Sequence, residues 1–116
     1  MKKNDLVYLS HIMKSIERIE EYTEGMEKDD FTSSNLVQDG TIRQIEIIGE
    51  AAKNLSRGCR EKYPQIPWSD IAGMRDLLIH HYFGVNLNDV WYTVKVDIPV
   101  LKDEILTILN LLEAEK

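Results

Sequence analysis

Apolar residues recur every three or four positions along the first part of the chain, at Leu6, Leu9, Ile12 with Met13, Ile16, Ile19, Tyr22 and Met26. A strand cannot use that spacing, because its side chains alternate between two faces, whereas a helix returns to one face about every 3.6 residues. The spacing predicts a helix over about Asn4–Lys28 that must bury one stripe against other elements. The same pattern returns at Val37, Thr41, Ile45, Ile48, Ala52 and Leu55, predicting a second helix over about Ser34–Ser56, with Gly58 as its stop. Between the two, Asp29–Asn35 reads as a break rich in capping residues.

A loop, SRGCREKYPQIP, follows with Gly58, Pro64 and Pro67, and it carries the basic cluster Arg57, Arg60 and Lys62, read as solvated. Trp68 and Ser69 lead into a third helix, in which Ile71, Met74 and Leu78 share a face and Gly84 supplies a stop. Asn86 or Asn88 caps the next segment, and Leu87–Leu112 is helical apart from Pro99. Proline lacks a backbone donor and clashes with the preceding turn, so a kink or a restart is expected there with Asp97 as cap. The run Val94–Val100 is rich in β-branched residues, but no alternation supports a strand. The expected fold is all-α: an up-and-down antiparallel bundle of four to five helices, in one domain spanning residues 1–116.

A chain of 116 residues, 43% of them hydrophobic, can bury a core of its own. The single cysteine, Cys59, cannot form an internal disulfide, and the sequence has neither a secretory-type start nor an apolar run of spanning length. A cytoplasmic protein without membrane contact is expected. The net charge of -6 argues against tight, sequence-indifferent nucleic-acid binding by a lone subunit. Much of that charge is local. Glu17, Glu20, Glu21, Glu24, Glu27, Asp29 and Asp30 stand against Arg18 and Lys28, and the remaining 13 acids and 12 bases nearly balance. The acidic stretch reads as the solvated end of a helix.

The octapeptide RDLLIHHY, Arg75–Tyr82, places a permanent cation, a carboxylate, two imidazoles and a phenol at one helix end. Arginine can hold a phosphate bidentately and histidine can move a proton near neutral pH, so phosphodiesters or nucleotides are the substrate class these residue types suit. Other readings stay open beside this one. Histidines in a last turn are favoured by the helix dipole, Arg75 and Asp76 can form a surface pair, and Tyr82 and Phe83 can be core or interface aromatics. His11, beside Ile12 in the first helix, reads as structural. Three histidines and one cysteine make no metal-ligand spacing, and no cofactor is implied.

Helical geometry separates the principal pair. Asp76 and His80, four apart, share a face, but Arg75 and His80, five apart, lie roughly 140° apart on a regular helix. Either the helix end unwinds before Gly84, or a second copy of the motif completes the site across a two-fold axis. The dimer is the favoured solution.

The string MRDLLIHHYFGVNLNDVW, with IEIIGEAAKNLS in the second helix, resembles the HepT toxins of the HEPN superfamily of small all-helical proteins. The resemblance covers about Ile45–Trp91, and the family's signature of Arg, four residues, His, one residue, Tyr is filled by Arg75, His80 and Tyr82. Asp76 takes the polar position that commonly follows the arginine, and His81 a variable one. The resemblance implies a homodimer with Arg75 and His80 lining an intersubunit cleft, and a metal-independent ribonuclease that slows growth by cutting cellular RNA. It also implies a partner, a minimal nucleotidyltransferase antitoxin that silences the toxin by moving AMP from ATP onto Tyr82. Glu50, in the IGEAA stretch, is a candidate ion-pair partner for Arg75, and Glu46 is not assigned a role. The alternative is a non-catalytic dimeric module that binds nucleotide or a partner, and a third reading makes the motif a dimer contact alone.

Overall fold

The computed structural model describes residues 3–80 and 86–114, with side chains described for 4–74 and 86–114. Within these residues the chain is all-α. Helix α1 spans Lys3–Thr23, α2 Lys28–Thr32, α3 Asn35–Asn54, α4 Arg57–Lys62, α5 Trp68–His80, α6 Leu87–Tyr92 and α7 Ile98–Ala114, with a π-helical turn at Thr93–Asp97 joining the last two. Helix α3 packs against both α1 and α5, and α7 packs against α1.

The stripe read from the first helix is the centre of the core: Leu9, Ile12, Ile16 and Ile19 are fully buried, and Met13 nearly so. Each such side chain contributes about 1.5–3 kcal/mol on burial, against a few tenths for helix propensity, so packing rather than propensity holds α1 in place. Ile45, Ile48, Ala51 and Ala52 meet it from α3, with Thr41 fully buried beside them. Helix α1 ends earlier than its apolar spacing suggests. The Thr23 hydroxyl donates to the Ile19 carbonyl at 2.8 Å, and Gly25 adopts φ +72°, a left-handed conformation that glycine enters without steric cost.

The Asp29–Asn35 break contains a helical turn of its own. The Asp30 carboxylate accepts from the Glu27 backbone N–H at 2.9 Å, which stabilises the start of α2. That turn sinks Phe31 to zero exposure, 5.2 Å from the ring of Trp91. The Gln38 amide then donates to the Phe31 carbonyl at 2.9 Å. Ser34 caps α3 by accepting from the Val37 N–H at 3.3 Å, as its position in the sequence suggests.

Helix α3 does not need Gly58 as a stop. Leu55 turns extended and Ser56 caps a new short helix, α4, which places Gly58 inside a helical turn and buries Cys59. The reason lies 51 residues upstream. The buried carboxylate of Asp5 accepts from the Ser56 N–H at 2.7 Å and from the Ser56 hydroxyl at 2.6 Å, tying the start of α1 to the end of α3. The two helices therefore run antiparallel. The Ser56 hydroxyl in turn accepts from the Cys59 N–H at 3.1 Å. Burial, followed by the charge of Asp5, pushes the Cys59 thiol up from its ordinary value of 9.0, which keeps it protonated and unreactive at neutral pH.

Pro99 neither breaks the last helix nor restarts it from an Asp97 cap. The Ile98 N–H reaches back to the Thr93 carbonyl, a five-residue bond characteristic of a π turn, and Asp97 lies within that turn. The wider turn accommodates the proline ring without a break in the path. A sequence trace of it exists: Val90, Val94 and Ile98 are buried at a spacing of four, and Leu101, Ile105 and Ile108 return to three or four. Lys102 binds Glu20 at 3.0 Å, so the end of α1 meets the start of α7.

Asp5→Ala leaves the Ser56 donors without their acceptor and is expected to lower unfolding free energy by about 3 kcal/mol, with a smaller loss for Asp5→Asn, which keeps one acceptor oxygen. Urea denaturation of the two variants checks this; equal stability of wild type and Asp5→Ala would overturn it.

Candidate functional site

Helix α5 carries the motif, and its first half is held firmly. The Trp68 indole N–H donates to the Tyr63 carbonyl at 3.1 Å, the Trp68 N–H to the Ile66 carbonyl at 2.8 Å and the Ile71 N–H to the Pro67 carbonyl at 3.0 Å. Trp68, Ile66 and Ile71 are buried, which fixes the start and the rotation of α5 against α3.

From that start the helical backbone runs through positions 75, 76 and 80. Five residues of regular helix separate 75 from 80 by roughly 140°, so no unwinding falls between these two positions. The side chains of Arg75, Asp76 and His80 lie outside the described residues, as do Tyr82, His81, Phe83 and the expected stop at Gly84 in their entirety.

Glu50 is described. It lies exposed on α3, and the Asn54 side-chain amide donates to its backbone carbonyl at 2.8 Å and to its carboxylate at 3.4 Å. The pairing with Arg75 expected from the sequence involves a side chain outside the described residues. What the structure does bring to Glu50 is a group of residues from α1 and from its own helix. Tyr8, His11, Arg43, Glu46, Glu50 and Asn54 line one groove of about 250 Å³ between α1 and α3. His11, which the sequence reading treats as structural, is exposed there, with its ring edge-on to Tyr8 at 6.3 Å. The missed signal is arithmetic: His11 lies three residues after Tyr8, hence on the same side of α1, while the neighbouring Ile12 faces inward.

A second cavity, of about 270 Å³, opens between α3, α5 and α7, with Ile45, Ile48, Ile71, Met74 and Leu101 as apolar walls and Glu104 among its lining residues. One carboxylate oxygen of Glu104 is buried without a hydrogen-bond partner, and burial pushes this group up from its ordinary value of 4.5. The seven acids of the 17–30 stretch are all exposed, in keeping with a solvated helix end. Arg57, from the basic cluster, is paired with Glu61 at 2.8 Å on the surface of α4 rather than in an irregular loop. Among the described residues no group of three or more His, Cys, Asp or Glu is placed to hold a metal ion. Nor, among them, is any helix long and apolar enough to cross a membrane.

A carboxyl group whose folded value is raised holds its proton longer in the native state, so its contribution to stability falls as pH rises from the unfolded value through the folded one. Glu104→Gln is therefore expected to raise the melting temperature at about pH 7 and to leave it unchanged at about pH 3, where both states of the wild type are protonated. Thermal melts of both proteins at the two pH values check the sign; a lower melting temperature for Glu104→Gln at the higher pH would overturn it.

Comparison with known proteins adds a family. The family model described as Ribonuclease HepT-like matches residues 12–108. A Methanocaldococcus jannaschii protein named "Gamma-glutamylcyclotransferase and putative RNase" is 55% identical over 116 residues, covering all of this chain and 52% of its own length, so the chain spans about half of that relative. A protein named "Probable ribonuclease HepT" from Thermococcus cleftensis is 47% identical over 102 residues, covering 88% of this chain and 93% of the relative. A Caldanaerobacter subterraneus protein named "Putative RNase" is 44% identical over 103 residues, covering 89% of this chain and 92% of the relative. No solved structure matches the chain significantly.

Proposed function

The chain belongs to the HepT-like ribonuclease family, and from that premise we propose that it is an RNA-cutting toxin whose active site is built from Arg75 and His80 of two subunits. The observation that carries the reading is the position of both residues on one helix, α5, inside the matched region. On that helix they diverge by roughly 140°, which favours a site shared by two copies of α5 over a site made by one.

The residue types suit a route that draws on no metal. The His80 imidazole removes the proton of a ribose 2'-hydroxyl, and the resulting oxygen attacks the adjacent phosphorus. The guanidinium of Arg75 neutralises the extra negative charge on the crowded phosphorus oxygens as the bond to the 5'-oxygen breaks. A proton returned to that 5'-oxygen completes the exchange, leaving a 2',3'-cyclic phosphate and a 5'-hydroxyl. Asp76, one turn before His80, orients the imidazole and favours its protonated form. Glu50 supports the arginine by charge.

Regulation belongs to the same reading. A minimal nucleotidyltransferase antitoxin transfers AMP from ATP to Tyr82, whose phenolic oxygen bonds to the α-phosphorus as pyrophosphate leaves. The product tethers an anion inside a cleft that seeks anions, and so excludes RNA. The excess of acids favours a second reading, in which a dimer holds nucleotide or partner and performs no chemistry, because RNA affinity without a basic surface is modest.

Partner-free protein is expected to cleave RNA, with Arg75→Ala and His80→Ala each about 100-fold slower or worse while circular dichroism remains unchanged. Equal cleavage by all three removes the catalytic assignment, and nucleotide binding with intact RNA supports the second reading. Intact mass of the protein made with and without a minimal nucleotidyltransferase is expected to show AMP-sized increments only in its presence. Increments that persist in Tyr82→Phe would rule out Tyr82 as the acceptor.

A further inference from the structure

The cavity between α3, α5 and α7 joins apolar walls to a carboxylate oxygen that lacks a hydrogen-bond partner, and we infer that it binds a small primary amine with an apolar body, its ammonium paired with Glu104. The inference stands apart from the ribonuclease reading and uses no residue of the Arg75–Tyr82 motif.

The cavity follows from the way the helices pair. Helix α5 packs on α3 and α7 on α1, and a space of about 270 Å³ stays open where α5 and α7 approach over α3. Each of the three helices contributes apolar side chains to it: Ile45 and Ile48 from α3, Ile71 and Met74 from α5, Leu101 from α7. All but Met74 are core residues, so these walls keep their shape. A cavity of about 150 Å³ with walls of this kind holds one benzene, so this one has room for roughly ten non-hydrogen atoms. Each methylene that enters it strengthens binding by about fourfold.

Glu104 supplies the polar end. It follows Leu101 by three residues and so lies on the same side of α7, where it lines the cavity. One of its oxygens is buried and accepts no hydrogen bond, and burial is what pushes the group up from its ordinary value. The last torsion of a glutamate is broad and nearly two-fold, so a small rotation presents either oxygen to the cavity. An ionised carboxylate only accepts, and what enters must therefore donate. A neutral donor would satisfy the oxygen and leave the charge uncompensated, whereas an ammonium does both.

The rest of the ligand is set by the walls. A second charge beside Ile45 or Ile48 would be desolvated without a partner, so the body of the molecule is hydrocarbon. A primary ammonium is a compact charge that a single carboxylate can hold, and a guanidinium is a wide planar fork with more donors to satisfy. Asp70 and Asp97 also line the cavity, but both are exposed, and they act on a cation only through solvent. The pairing with Glu104 therefore does not depend on them.

The test uses full-length protein with labelled methionine methyl groups, followed by nuclear magnetic resonance at about pH 7, with the Met74 signal assigned from Met74→Leu. Phenethylamine and its neutral counterpart, 2-phenylethanol, are titrated separately. A saturable shift of Met74 is expected from both, with the amine binding about tenfold tighter or better. In Glu104→Gln that advantage is expected to vanish while the alcohol binds as before. A second series needs wild type alone: ethylamine, butylamine and hexylamine are expected to bind progressively tighter, by about fourfold per methylene. No saturable shift of Met74 from the amine overturns the site. Equal binding of amine and alcohol, or an advantage that survives in Glu104→Gln, overturns the pairing with Glu104. Affinity that does not rise from ethylamine to hexylamine overturns the apolar body.

Discussion

The buried carboxylate of Asp5 is the contact on which the arrangement of the bundle depends. By binding the backbone and hydroxyl of Ser56 it sets the antiparallel register of α1 and α3, and the same Ser56 begins α4. Helix α4 ends at Tyr63, whose carbonyl accepts from Trp68 at the head of α5. Position along α1 is thereby transmitted through two serine and tryptophan anchors to the start of the helix that carries Arg75 and His80. An ionised group so buried would be costly without partners, and two short hydrogen bonds offset that cost.

Much of this fold is legible in the sequence because burial works through periodicity. The stripe Leu9, Ile12, Ile16 and Ile19 and its counterpart Ile45, Ile48 and Ala52 are core residues in the structure, as their spacing implies. The departures occur where a long-range contact or an unusual turn overrides a local signal. Gly58 resembles a helix stop but lies within α4, because the chain is turned at Leu55–Ser56 by a residue 51 positions away. Asp29–Asn35 resembles a break, and its composition gives little sign that Phe31 is drawn into the core against Trp91. Pro99 resembles an interruption, and a five-residue turn absorbs it.

The site divides in the same way. The motif at Arg75, Asp76, His80 and Tyr82 is recognisable from residue type and order, and the family match covers it. Its residues are neighbours in sequence, which is why reading the sequence finds it. The groove of Tyr8, His11, Arg43 and Glu46 has no such signature, since it is assembled across two helices by packing. An acidic protein acting on RNA also becomes easier to understand in these terms. Most of its excess charge sits on an exposed helix end, which leaves the acids and bases of the rest of the chain nearly balanced.

The five-residue turn ahead of Pro99 sets the rotational phase between α6 and α7. An ordinary turn advances the chain by about 100° per residue, and a π turn by less, so the two halves of this long segment are offset from the positions a uniform helix would give them. That offset lets Trp91 reach Phe31 while Ile98, Leu101 and Ile105 stay on the buried side. Excising one residue from 93–97 would straighten the coil and, in doing so, swing the indole away from its ring partner. The seemingly irregular stretch is thus a gear tooth, and regularising it would disengage the two ends it meshes.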